Sequence, residues 1–193
     1  MRGCFCSSCL RSILKGFAMK IRVGFSYRKL LFSRLLRWAE RRPYSHVYIR
    51  YKHPITDQDL ILHASGSSIH TLTLENFRDV HHNIIVKEYE IEVAEDKVKD
   101  MMSFMFSQSG TPYGNIQLFG MAAVKFMAFC GKNIKNPLSD KKATMVCSEF
   151  CAYVLSIGGI TPNIDLSYAE QGGPSWIEDT LKNSSIPEVH EES

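Results

Sequence analysis

From Ile21 onward, apolar residues either alternate with polar ones or recur at helical spacing. The run MKIRVGFS reads as a first strand over Ile21–Ser26. In YRKLLFSRLLRWAERRP, Leu31, Leu35 and Trp38 share one helical stripe, Arg34, Arg37 and Arg41 lie elsewhere, and Pro43 stops the pattern. This predicts an amphipathic basic helix. Because it is short and flanked by strand signals, packing against a sheet is the favoured expectation, and lying on a membrane surface is the competing one. Three further strands are predicted at Ser45–Tyr51, Leu60–Ala64 and Asn83–Ile91, with HPITDQD as a hairpin loop. The stretch SGSSIHTLTLENFRDVHH reads as a connection in which Thr71 or Thr73 caps a short helical turn. Helices are predicted at Ala94–Ser107, at Ile116–Phe129 (apolar nearly all round, hence buried), and at Cys147–Ile157, which Gly158-Gly159 stops. The expected class is α+β, a mostly antiparallel sheet packed against helices.

A length of 193 residues suits one ordinary domain with a real core. The expected division is an N-terminal extension over 1–18, dispensable to the fold, a single catalytic-size domain over 19–182, and a flexible acidic tail over 183–193. Charge is unevenly spread. Residues 1–53 hold 13 of the 23 Lys and Arg against Glu40 as their sole acid. Such asymmetry fits a solvated basic face or contact with an anionic membrane through the front helix, whereas the absence of any base-reading motif argues against nucleic acid. The six cysteines form neither a spaced disulfide framework nor a paired zinc pattern, which suits a reducing compartment. Arg11 and Lys15 interrupt the first eighteen residues, so no signal peptide or spanning helix is read there. A cytoplasmic location, with peripheral membrane association as an option, is the expectation.

TMVCSEFCAYVLSIGG carries the most chemistry. It sets Cys147 where a loop becomes a helix, with Glu149 in the first turn, and a thiol there feels unpaired amides and the positive end of the helix dipole, which favour thiolate. Without a partner such a Cys is more often a small buried hydrophobe, the reading given to Cys151 one turn further in. The partner needed is an imidazole within hydrogen-bond reach. His46 opens the strand SHVYIRY, and His63, in LILHA, can orient it from the neighbouring strand as a third triad member does. His53, His81, His82 and His190 read as loop or tail residues, and His70 has no evident role.

The ordered blocks PYSHVYIRY, LILHASGSSIHTL, GTPYGNIQLFG and MVCSEFCAYVL resemble those of the circularly permuted NlpC-type hydrolases. This papain-like group includes the YiiX/YaeF-like bacterial proteins and the lecithin:retinol acyltransferase-like enzymes. The resemblance implies a permuted papain-like fold in which the base precedes the nucleophile. It implies Cys147 as nucleophile, His46 as base, His63 as the third polar residue, and Tyr113 in an oxyanion or positioning role. The implied activity is that of a cysteine peptidase, amidase or acyltransferase working through an acyl-thioester, without cofactor or metal. Its substrate would be an amide or ester, such as a peptidoglycan peptide or a lipid. The polar insertion Gly131–Thr144 and the basic front helix depart from the group's pattern. Two alternatives stand beside this reading: a non-catalytic membrane- or polymer-binding module on the same fold, and a zinc site built from Cys147, Cys151, His46 and His63.

Overall fold

The computed structural model describes residues 19–66, 68–112, 145–161, 163–169 and 172–189. Its elements run β1 (Met19–Tyr27), α1 (Leu31–Glu40), β2 (His46–Lys52), β3 (Asp59–Ser65), β4 (Ser68–Thr73), a π-helical turn (Asn76–Val80) and β5 (Ile84–Val93). Then come α2 (Glu95–Ser107), α3 (Cys147–Ile157), a 3-10 turn (Leu166–Tyr168), α4 (Pro174–Asn183) and β6 (Glu188–Val189). The strands form one sheet in the order β4-β3-β2-β1-β5-β6, every neighbouring pair antiparallel. The expected α+β class is thus observed. The four predicted strands and the helices at Ala94–Ser107 and Cys147–Ile157 are present within two residues of their expected ends, and the basic front helix is present as α1.

β4 occupies a segment that reads as a connection. Its polar-rich SIHTLT pattern is weak, but the left-handed conformation of Gly66 (φ 67°) permits a tight reversal that lays Ser68 against Ser65 and His70 against His63. The expected cap is present too, since the Asn76 amide donates to Thr73 Oγ1 at 3.2 Å. Residues 184–187 lead from α4 into β6. Glu188 and Val189 pair with Tyr89 and Glu88 of β5.

Alternation along the strands divides the sheet into two faces. Val23, Phe25, Val47, Ile49, Leu62 and Ala64 point to the principal core, which the apolar sides of α2, α3 and α4 complete through Met101, Phe150, Val154 and Ile177. On the opposite face Tyr48, Ile61 and Phe77 make a smaller core under the π-helical turn. Beside it lies a charged network. Arg50 grips Asp59 through two bonds of 3.2 Å and donates to Glu88 at 3.0 Å, while Tyr48 OH donates to the other oxygen of Glu88 at 2.7 Å. Gly24 makes this arrangement possible, because a Cβ there would stand 2.1 Å from the buried Tyr48 ring. With that ring pinned by Glu88, Gly24→Ala is expected to lower stability by about 2 kcal/mol or more, the range of overpacked cores, as read from the urea midpoint.

α1 departs from expectation. Its stripe of Leu31, Leu35 and Trp38 faces solvent, and the residue it buries is Ser33. Polar contacts secure the inward side: Ser33 Oγ and Ser45 Oγ share a hydrogen bond at 2.6 Å, the Arg37 guanidinium lies 4.2 Å over the Tyr27 ring, and Ser175 donates to the Glu40 carboxylate. The helix is fastened by hydrogen bonds rather than by its leucines.

Candidate active site

Three imidazoles are strung along the smaller-core face. Ile49 faces Leu62 across β2 and β3, which sets His63 diagonal to His46, while His70 sits directly opposite His63 on β4. The contacts follow: His46 Nε2 to His63 Nδ1 is 2.9 Å, His63 Nε2 to His70 Nε2 is 3.1 Å, and His70 Nδ1 to the Ser68 carbonyl is 3.0 Å. Phe77 packs edge-on against His63 with ring centres 5.2 Å apart. His63 is buried, and His46 and His70 are partly so. The pairing of His46 with His63 is the one expected. His70, to which no role falls on sequence grounds, joins the chain because β4 exists. The signal that would have found it is a hairpin reversal at Gly66, which puts residues 63 and 70 in register.

Burial lowers the basicity of His46, to a pKa of about 3, with the His70 charge and then Arg28 adding to the effect. His63 is pushed down further, by burial first and then by its neighbouring histidines. Both rings are therefore neutral near pH 7, and neutral rings have one N–H each. The far end of the chain then assigns every proton. A carbonyl only accepts, so His70 Nδ1 carries hydrogen and, in its neutral form, its Nε2 accepts from His63 Nε2–H. His63 Nδ1 accepts in turn from His46 Nε2–H, which leaves Nδ1 of His46 as a bare lone pair.

Cys147 is the first residue of α3. Its predecessor Val146 is extended (φ −92°, ψ 163°), and the Val146 amide donates to the Glu149 carboxylate at 3.4 Å, closing the first turn. Cys147 is 2% exposed and lies within the principal core, where α3 packs on β2 and β3. It enters at the same end of the sheet as His46: Met145 donates to the Pro112 carbonyl at 3.1 Å, Pro112 bridges to Ser68, and Ser68 pairs with Ser65 beyond His63. The helix of Cys147 therefore starts at this end of the sheet, with Cys147 in the principal core, while His46 stands at the first position of β2 and the imidazole chain runs along the opposite face. Cys151 is wholly buried one turn on, and burial raises its pKa well above the ordinary thiol value, which keeps it protonated.

No family model matches the chain, and no curated protein is significantly similar to it. Among the described residues, no three His, Cys, Asp or Glu side chains are arranged to hold a metal ion, and no helix is long and apolar enough to cross a membrane. Tyr113, the helix expected at 116–129, the insertion 131–144, Cys4, Cys6, Cys9, Cys130 and His190 lie outside the described residues.

Proposed function

We propose that the protein is a cysteine hydrolase or acyltransferase of permuted papain-like type, in which Cys147 attacks an amide or ester carbonyl and His46 Nδ1 takes the thiol proton. The observation that carries this reading is the hydrogen-bonded chain from His46 to the Ser68 carbonyl, which gives the imidazole nearest the sheet end a free lone pair. Attack forms a carbon–sulfur bond and an oxyanion. Collapse expels the amine or alcohol, which leaves with the proton held by His46, and water or a second acceptor then releases the acyl group from sulfur. The Cys147 amide at the start of α3 is a suitable donor to the oxyanion. His63 and His70 act through His46 by fixing its tautomer. They are positioning residues. Tyr113 is assigned an auxiliary place on resemblance alone.

The test is the rate at which iodoacetamide modifies each cysteine of the full chain, read by peptide mass. Cys147 is expected to react at least about tenfold faster than Cys151, and His46→Ala to slow it by about tenfold or more. Equal rates for the two cysteines, or no effect of His46→Ala, would overturn the reading.

A further inference from the structure

The solvent-facing stripe of α1 is built the wrong way round for a helix whose task is to complete a core. Leu31 is 83% exposed, Trp38 55% and Leu35 48%, an apolar stripe at i, i+4 and i+7 spacing, and Leu30, 51% exposed, immediately precedes the helix. The exposed polar neighbours over 28–41 are Arg28, Lys29, Arg34 and Arg41, all cationic. Glu40, the acid of this segment, is turned inward to Ser175. Burying the stripe within the molecule is not what holds α1, since Ser33, Arg37 and Glu40 do that from the opposite side.

From these observations we infer that α1 is a membrane-docking helix that lies in the interface of an anionic bilayer, with Leu30, Leu31, Leu35 and Trp38 inserted among the acyl chains and Arg28, Lys29, Arg34 and Arg41 on lipid phosphates. The charge pattern selects this occupant. A partner protein seated on a basic rim would need matching acids in fixed places, whereas a bilayer offers mobile negative charge to cations at any point around the stripe. Arginine and lysine extend their stems along apolar surface and keep their charges at headgroup level, and an indole is at home at that same depth. α1 also joins the end of β1 to the start of β2, the sheet end at which His46 stands, so docking brings that end to the lipid surface. The inference rests on exposure and charge and does not depend on the chemistry assigned to Cys147.

Flotation of the full chain with vesicles tests it. Binding is expected to vesicles of equimolar phosphatidylcholine and phosphatidylserine, to be weak on phosphatidylcholine alone, and to decline as salt is raised. Leu31→Glu with Leu35→Glu should reduce partitioning by about tenfold or more while leaving the circular dichroism spectrum unchanged, because both side chains are exposed. A blue shift of tryptophan emission on binding, absent in Trp38→Phe, would place the indole in the interface. The proposal fails if the wild-type chain does not float with the anionic vesicles, or if the double variant floats equally well. It also fails if the stripe instead mediates self-association, seen as a dimer in sedimentation that the double variant abolishes, without vesicle binding.

Discussion

Cys147→Ala is expected to reduce turnover of activated acyl esters and peptide amides by about a thousandfold or more, while Cys151→Ala stays within a few fold of wild type. The contrast follows from position along a single helix. Cys147 is the first residue of α3, beside amides that have no intrahelical acceptor, so negative charge on its sulfur is stabilised. Cys151 is one turn inside, fully buried, and its ionisation is opposed by desolvation and by the other thiol. Any acyl-thioester should therefore form on Cys147, where mass analysis of a chain quenched during turnover would find it. Loss of activity in Cys151→Ala with retention in Cys147→Ala would reverse the assignment, and retention in both would exclude thiol chemistry. His63→Ala is expected to fall between the wild type and His46→Ala, since it removes the orienting bond but leaves the base.

Removal of the Glu178 carboxylate should have the largest effect on stability. Glu178 is 1% exposed on α4 and accepts from Lys87 at 2.8 Å, Tyr89 at 3.1 Å and Tyr44, with Lys182 at 3.0 Å and Arg42 at 3.4 Å completing its shell. These contacts fasten α4 to β5 and to the lead-in of β2. Burial works against its charge, but the bonds from Lys87, Tyr44 and Lys182 overcome that and hold the pKa down to about 2. Glu178→Ala leaves two phenols and two ammonium groups without their shared acceptor, so a loss of about 3 to 5 kcal/mol is expected in urea unfolding.

The pH dependence of that loss has a definite sign. A depressed carboxyl binds its proton more readily when the chain is unfolded, so its contribution is fully present above the ordinary value of 4.5 and vanishes as pH falls through about 2. The shift corresponds to about 3 kcal/mol at roughly 1.4 kcal/mol for each pH unit. His46 and His63 act in the same direction but begin higher. Their folded pKa values are lowered, the unfolded chain takes up protons below 6.5, and stability starts to decline there. Comparing wild type with Glu178→Gln isolates the carboxyl: the two curves should converge between pH 4.5 and 2. Parallel curves across that window would show that Glu178 is not ionised in the fold.

The sheet and its neighbouring helices were largely legible because each of those signals is local. Val23, Phe25, Val47 and Ile49 alternate with residues of the other face, and a period of two specifies a half-buried strand without reference to the rest of the fold. The start of α3 was legible for a similar reason, since an apolar periodic run with Glu149 in its first turn begins at Cys147. β6 escaped notice because two residues on a sheet edge are too few to show a period. β4 escaped because its polar positions, His70 among them, look like loop when the partner strand is unknown.

What the sequence by itself determined is the local structure that holds each candidate residue: a thiol at a helix start, two histidines on strands, and a helix with an apolar stripe and basic flanks. Tertiary structure alone decided where these stand relative to one another. It aligned His70 with His63 and so gave the imidazole chain a direction, because register across a hairpin depends on which residues make the turn. It also turned the leucines of α1 outward. Helical period states that one face is apolar, but what that face meets is set by how the neighbouring elements fill the space beneath, and here Ser33, Arg37 and Glu40 had already taken it.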